Sequence, residues 1–211
     1  MNKGLEQRSY NFEIRAEMTE GDVGVITGRP IVYDSRTDLG YFDEIIDRGA
    51  LDKADLRDVR FLVNHDFSKI PLARSRNNNA NSTMQLMPDD KGMAIRVNLD
   101  TKNNTDARNL YSAIERGDIT GMSFAFAVPK DGDLWDWSNQ DHPTRHIKSI
   151  ANVVEVSAVT FPAYESTEIS VRNKEALENA KLALESAKRS QSLESDLLLA
   201  KAKFEALLKV R

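Results

Sequence analysis

The 211-residue chain contains no cysteine. That removes disulfides, thiolate metal ligands and a cysteine nucleophile. It also fits a reducing compartment such as a cytoplasm. No apolar run is long enough to span a bilayer, and the opening MNKGLEQRSYNFE lacks the apolar segment of a secretion signal, so no membrane association is expected. Basic residues do not cluster. With 29 Lys and Arg against 33 Asp and Glu, the net charge is −4, which gives nucleic-acid binding no electrostatic footing. Histidine is scarce: His65, His142 and His146 are the whole set. No glycine or proline occurs from Asn173 to Arg211, a local absence that accompanies a change of composition.

What is present is mostly short and alternating. Arg8 to Met18 reads as one half-buried strand, with Tyr10, Phe12, Ile14, Ala16 and Met18 on one side. It makes a hairpin with Val23 to Tyr33, where Gly28 and Pro30 point to a bulge or a barrel corner. Asp47 to Arg57 reads as a short helix, and Val59 to His65 as a strand with Phe61, Val63 and His65 on one face. Arg76 to Ser82 is an asparagine-rich loop expected to be mobile. Thr83–Met87 and Met93–Leu99 form a hairpin. Asn104 to Arg116 is an amphipathic helix stopped by Gly117. Pro129 to Thr144 reads as a polar loop, and Arg145–Ile150 and Val153–Phe161 as strands. Many short strands with few helices indicate a mainly β protein with flanking helices, an α+β barrel or sandwich.

The tail from Asn173 to Arg211 is rich in Ala, Leu, Glu and Lys, strong helix formers. Ser190-Gln191-Ser192 is expected to break or cap it. The division expected is therefore a domain over 1–172 and a helical tail over 173–211.

The stretch GDITGMSFAFAV, Gly117 to Val128, organises the rest. Met122, Phe124, Phe126 and Val128 are bulky; Ser123, Ala125 and Ala127 between them are small. A strand sends these two sets to opposite faces, so one hydroxyl sits among methyl groups where another backbone can approach. As a general base, His65 has a suitable ordinary pKa, about 6.5. Glu155 lies in the apolar strand IANVVEVSAVTF, and a carboxylate there needs a partner. The partner is a histidine of a serine–histidine–acid triad or a nearby Lys or Arg; the residues alone leave both open. His146 is a rival for orienting His65, while Asp66 points to the wrong face. His142 and His146 are four apart, but Pro143 opposes the helix a metal site of that spacing needs, so no metal and no cofactor are expected.

Six blocks in order carry a family resemblance: GVITGRPIVY, FDEIIDRGAL, VRFLVNHDFSKIPLARS, LMPDDKGM, IERGDITGMSFAFAV and VVEVSAVTFPAYEST. Over roughly Val23 to Arg172 the chain resembles the prohead, or capsid-maturation, protease family of tailed bacteriophages, whose fold is related to the herpesvirus assemblins. The resemblance implies an assemblin-like β-barrel and a serine endopeptidase working inside an assembling procapsid in the host cytoplasm. It implies a catalytic His65 in the NHD block, a nucleophilic Ser123 in the GMSF block and an acidic Glu155 in the EVS block. Assemblins use a second histidine as third member, which keeps His146 as the alternative. They also use an arginine soon after that member. Here the first is Arg172, so oxyanion stabilisation falls to backbone amides near Ser123 or on a neighbouring loop. The implied partners are the major capsid protein or scaffolding protein, and a second copy of the chain in a homodimer or higher oligomer. The tail is expected to dock on capsid or scaffold helices and to be removed by self-cleavage. A chain of the same fold that serves only as an inactive assembly factor is the alternative.

Overall fold

In the computed structural model, the residues described are 5–10, 14–19, 23–160 and 174–209. Among them, thirteen strands form three open sheets, with two α-helices. The five-stranded sheet has the order β1 (Glu6–Tyr10), β10 (Gly121–Ala127), β13 (Asn152–Val159), β6 (Asp58–Val63), β7 (Ala73–Arg76). A second sheet orders β2 (Ile14–Thr19), β3 (Val23–Val32), β9 (Gly92–Leu99) and β8 (Met84–Asp89). The third orders β11 (Asp133–Asp136), β12 (Thr144–Ile147), β5 (Asp43–Ile46) and β4 (Arg36–Asp38). The α+β class stands. A closed barrel is not found among the described residues. Closure would need β7 to continue its ladder onto β8. Instead the Arg74 and Arg76 amides donate to the hydroxyls of Thr83 and Ser82, so side chains take the place of ladder carbonyls there.

The alternation that reads as one strand from Arg8 to Met18 is two strands in two sheets. β1 pairs with β10, and β2 pairs with β3. The bulge expected at Gly28 and Pro30 is present as a register shift between Gly28 and Ile31. The β8–β9 hairpin turns at Gly92, whose φ of 134° and tight approach to Ile31 O leave no room for a side chain.

The helix expected over Asp47 to Arg57 is absent. Its amides make successive short turns, Ala50 to Asp47, Asp52 to Gly49 and Ala54 to Leu51. Gly49 has a left-handed φ of 85°, and Ala50 O and the Asp55 amide are bonded to the chain after β12. Tertiary partners thus replace helical ones. The polar loop over Pro129 to Thr144 contains β11. The asparagine-rich loop is knitted by its own side chains, with Asn78 bonded in both directions to the Leu86 backbone.

Helix α1 (Thr105–Glu115) forms as its pattern predicts. Asn104 caps the amides of Asp106 and Ala107, and Gly117 follows at φ 78°. Its buried stripe, Ala107, Leu110, Tyr111 and Ile114, joins the main core with Phe61, Met122, Phe124 and Phe126. Helix α2 (Lys174–Lys209) is continuous. Ser190 does not break it, because its hydroxyl donates back to Ser186 O and leaves the backbone ladder alone. Ala180 and Leu184 are buried against Phe42, beside Leu39, Trp135 and Trp137. The expected domain boundary at 172/173 lies outside the described residues.

Candidate active site

The site is built across the middle of the five-stranded sheet. On β10, bulky and small residues alternate as the sequence indicates, and both faces are buried. Ser123 is opposite Ser157 on β13 and opposite Ser9 on β1. Ala125 is opposite Glu155 and Gln7. One face therefore carries a row of three serines across three strands, next to a row in which a single methyl group faces the carboxylate. The small residue leaves space for the charge.

His65 reaches this face by leaving β6. The strand stops at Val63, so His65 is not on the strand face with Phe61 and Val63. Asn64 and His65 are both left-handed, with φ of 53° and 56°, conformations that asparagine and histidine tolerate better than most residues. The Asn64 side chain fixes the turn: its amide donates to Thr160 Oγ1 and its oxygen accepts from the Thr160 amide. The turn swings the imidazole over β13.

There Nδ1 of His65 lies 2.5 Å from Oε1 of Glu155. The carboxylate is fully buried, and its other oxygen accepts from Ser157 Oγ at 2.5 Å. Ser157 in turn accepts from the His65 backbone amide at 3.2 Å. One hydroxyl thus ties the carboxylate to the backbone of the residue it orients. Of the two partners open for Glu155, the structure brings up the histidine. Arg60, its register neighbour on β6, pairs with Asp58 instead. A buried carboxylate with a ring N–H and a hydroxyl as donors is satisfied without a full countercharge.

Ser123 is brought to the same face, but its hydroxyl does not bond the histidine. It donates to Arg8 O at 2.8 Å and accepts from Ser9 Oγ at 2.9 Å. His65 Nε2 is buried and has no hydrogen-bond partner among the described residues. The other candidates lie elsewhere. His146 is on β12 in the third sheet, with Nδ1 2.9 Å from Asp47. Asp47 is held below the usual carboxylate range: burial pushes it up, but bonds from Lys148 and His146 outweigh that. Asp66 accepts from Ser68 within a surface turn. His142 faces Asp43 and Asp38, not His146. Arg172 lies outside the described residues.

A charged cluster beneath the site is not visible in any local pattern. Arg8 on β1, buried, donates to both oxygens of Glu44 on β5 and to Glu6. Arg145 on β12 bonds Glu6, Glu44 and Asp133. Burial alone would push the Glu6 carboxyl up; the guanidinium groups of Arg8 and Arg145 overcome it and hold the carboxyl at about 2. Arg8 also lies over the Phe126 ring, 5.6 Å from its centroid. The only sequence signal was an arginine in an apolar-alternating segment.

A serine on a strand, with a histidine held by a buried acid on the same face, supplies the parts of a serine-type acyl-transfer site. The chain belongs to the caudovirus prohead serine protease family, whose family model matches residues 10–182. It is 30% identical over 155 residues to the prohead protease of Enterobacteria phage HK97, covering 72% of this chain and 61% of that protein. The chain thus spans less than two thirds of that relative's length. Among solved structures it is similar to the bacteriophage T4 capsid assembly protease, gp21, with 12% identity, a TM-score of 0.42, and coverage of 76% of this chain and all of the other.

Proposed function

We propose that this chain is a serine endopeptidase of phage capsid maturation, acting inside the procapsid in the infected cell. Its substrates would be the scaffolding protein, or the scaffold-like part of the major capsid protein, and then itself. The observation that carries this reading is the buried Glu155 carboxylate on His65 Nδ1, on the sheet face that holds Ser123, in a chain of this family. Glu155 keeps the ring proton on Nδ1, which leaves Nε2 as an acceptor. Nε2 takes the Ser123 proton as Oγ attacks a peptide carbonyl carbon. The tetrahedral intermediate collapses to an acyl-enzyme as Nε2–H protonates the departing amine. Water, deprotonated by the same nitrogen, then releases the acid and restores Ser123. No cofactor enters these steps.

Intact mass tests the reading. Wild type coexpressed with its capsid protein is expected to trim that protein and itself, and Ser123→Ala to leave both whole. Normal trimming by Ser123→Ala would refute it.

One observation favours the alternative of an inactive assembly factor: the Ser123 hydroxyl is bonded to β1 and not to His65. Labelling of Ser123 by a fluorophosphonate probe, dependent on His65, separates the two. The distal part of α2, with Leu193, Leu197, Leu198, Leu199 and Phe204 exposed, is in this proposal the segment that docks on a capsid or scaffold helix.

A further inference from the structure

Ser123 is engaged, but by the wrong partner for chemistry. Both hydrogen bonds of its hydroxyl go to β1, one to a main-chain carbonyl and one to Ser9. The atom that would have to accept its proton, His65 Nε2, has no partner among the described residues. β1 runs antiparallel along β10 from Glu6 opposite Phe126 to Tyr10 opposite Met122, and closes that edge of the five-stranded sheet. This is the position an extended peptide takes when it adds to a sheet edge.

β1 is attached by its backbone ladder to β10 and by buried side chains that reach the third sheet. Arg8 and Glu6 reach down to Glu44 and Arg145. Arg145 is bonded to Glu44 at 3.1 Å and to Asp133 at 2.7 Å without any help from β1. When the strand is absent Arg145 keeps two carboxylate partners, and Glu44, which loses both Arg8 bonds, keeps Arg145; a replacing strand that brings a cation to Glu44 restores the missing pair.

We propose that β1 is a resident strand on the substrate's edge: the chain's own N-terminal segment covers the nucleophile, and an extended peptide reaches Ser123 only by replacing it. The inference rests on Ser123 being the nucleophile. Departure of β1 removes the carbonyl that accepts the Ser123 proton and leaves His65 Nε2 as the acceptor on that face. It also frees backbone groups of β10 to pair with the incoming peptide. Ser9 marks the position opposite Ser123 as one for a small residue.

The test is the rate of Ser123 labelling by a fluorophosphonate probe, mapped by mass spectrometry, on full-length wild type and Arg8→Ala. Loss of a buried charged anchor is expected to raise the rate at least about tenfold. Adding the synthetic peptide LEQRSY should slow it again. Equal rates in two folded proteins would overturn the resident-strand proposal and leave the protease reading standing. No labelling of either folded protein would overturn the protease reading and this proposal with it. Wild type alone gives an independent check if Arg8→Ala does not fold. Below the unfolding transition, urea should raise β1 hydrogen exchange and Ser123 labelling together; labelling indifferent to β1 opening would refute the proposal.

Discussion

Replacing Glu155 with glutamine should stop the site through the wrong histidine tautomer, and Ser157 decides why. The Ser157 hydroxyl proton goes to Glu155 Oε2, and its oxygen already accepts from the His65 amide. In Glu155→Gln one carboxylate oxygen becomes an NH2 group. If the amide oxygen stays on the Ser157 side, the NH2 faces Nδ1, and the ring proton must move to Nε2. Nε2 can then no longer take a proton from Ser123. The opposite orientation gives Nδ1–H its acceptor but strands the Ser157 hydroxyl proton, since Glu155 and Ser157 are both fully buried. Stranding a buried donor costs about 1–3 kcal/mol, a bias of about five- to 150-fold toward the wrong tautomer. With the lost negative charge, the rate of Ser123 acylation should fall by about four orders of magnitude, as for an acid-to-amide change in other triads. Adding Ser157→Ala removes the bias and should return about tenfold of the loss, although alone it is harmful. Nitrogen-15 shifts of neutral His65 read the tautomer directly: Nδ1–H in wild type, Nε2–H in Glu155→Gln. The same tautomer in both proteins, or a double variant whose losses simply add, would refute the reasoning.

Acid should loosen β1. The folded pKa of Glu6 is depressed from 4.5 to about 2, so its contribution is present above about pH 4.5 and is lost as pH falls toward 2; the full shift corresponds to on the order of 3 kcal/mol. Hydrogen exchange of β1 between pH 6 and 3 should therefore accelerate, beyond the intrinsic pH effect, in wild type but not in Glu6→Gln; parallel profiles would count against it. Deleting residues 190–211 removes exposed apolar side chains while Ala180 and Leu184 stay seated, so the denaturation free energy should move by less than about 0.5 kcal/mol. Incorporation into procapsids should be lost, and unchanged incorporation would refute the docking role.

What local pattern can express was legible. The β10 alternation, the β8–β9 hairpin and α1 with its Gly117 stop follow from spacing and turn chemistry alone. Glu155 stood out because a carboxylate among valines demands a partner. The alternation from Arg8 to Met18 shows its limit, because a period of two cannot reveal that a chain passes from one sheet to another. The same holds for the Arg8, Glu44 and Arg145 cluster, joined over 36 and 101 positions of sequence. The position of His65 depended on two left-handed residues and a side-chain lock to Thr160, 96 positions away from Asn64. The expected helix after Asp47 failed because its backbone found partners across the fold.

The two tryptophans of this chain, Trp135 and Trp137, stack at 5.5 Å beside the small cluster where Ala180 and Leu184 meet Phe42. They belong to the third sheet and its flank, not to the sheet that carries Ser123. Excitation at the red edge of the absorption band would therefore report whether the long helix is seated on the body of the protein, with no label added. A rise or shift in that emission would report displacement of the long helix, and a phosphonate dye would test the proposed nucleophile Ser123 in the same sample; because Asn179 on the helix bonds Leu5 O just before β1, comparing the two signals would show whether helix and strand move together.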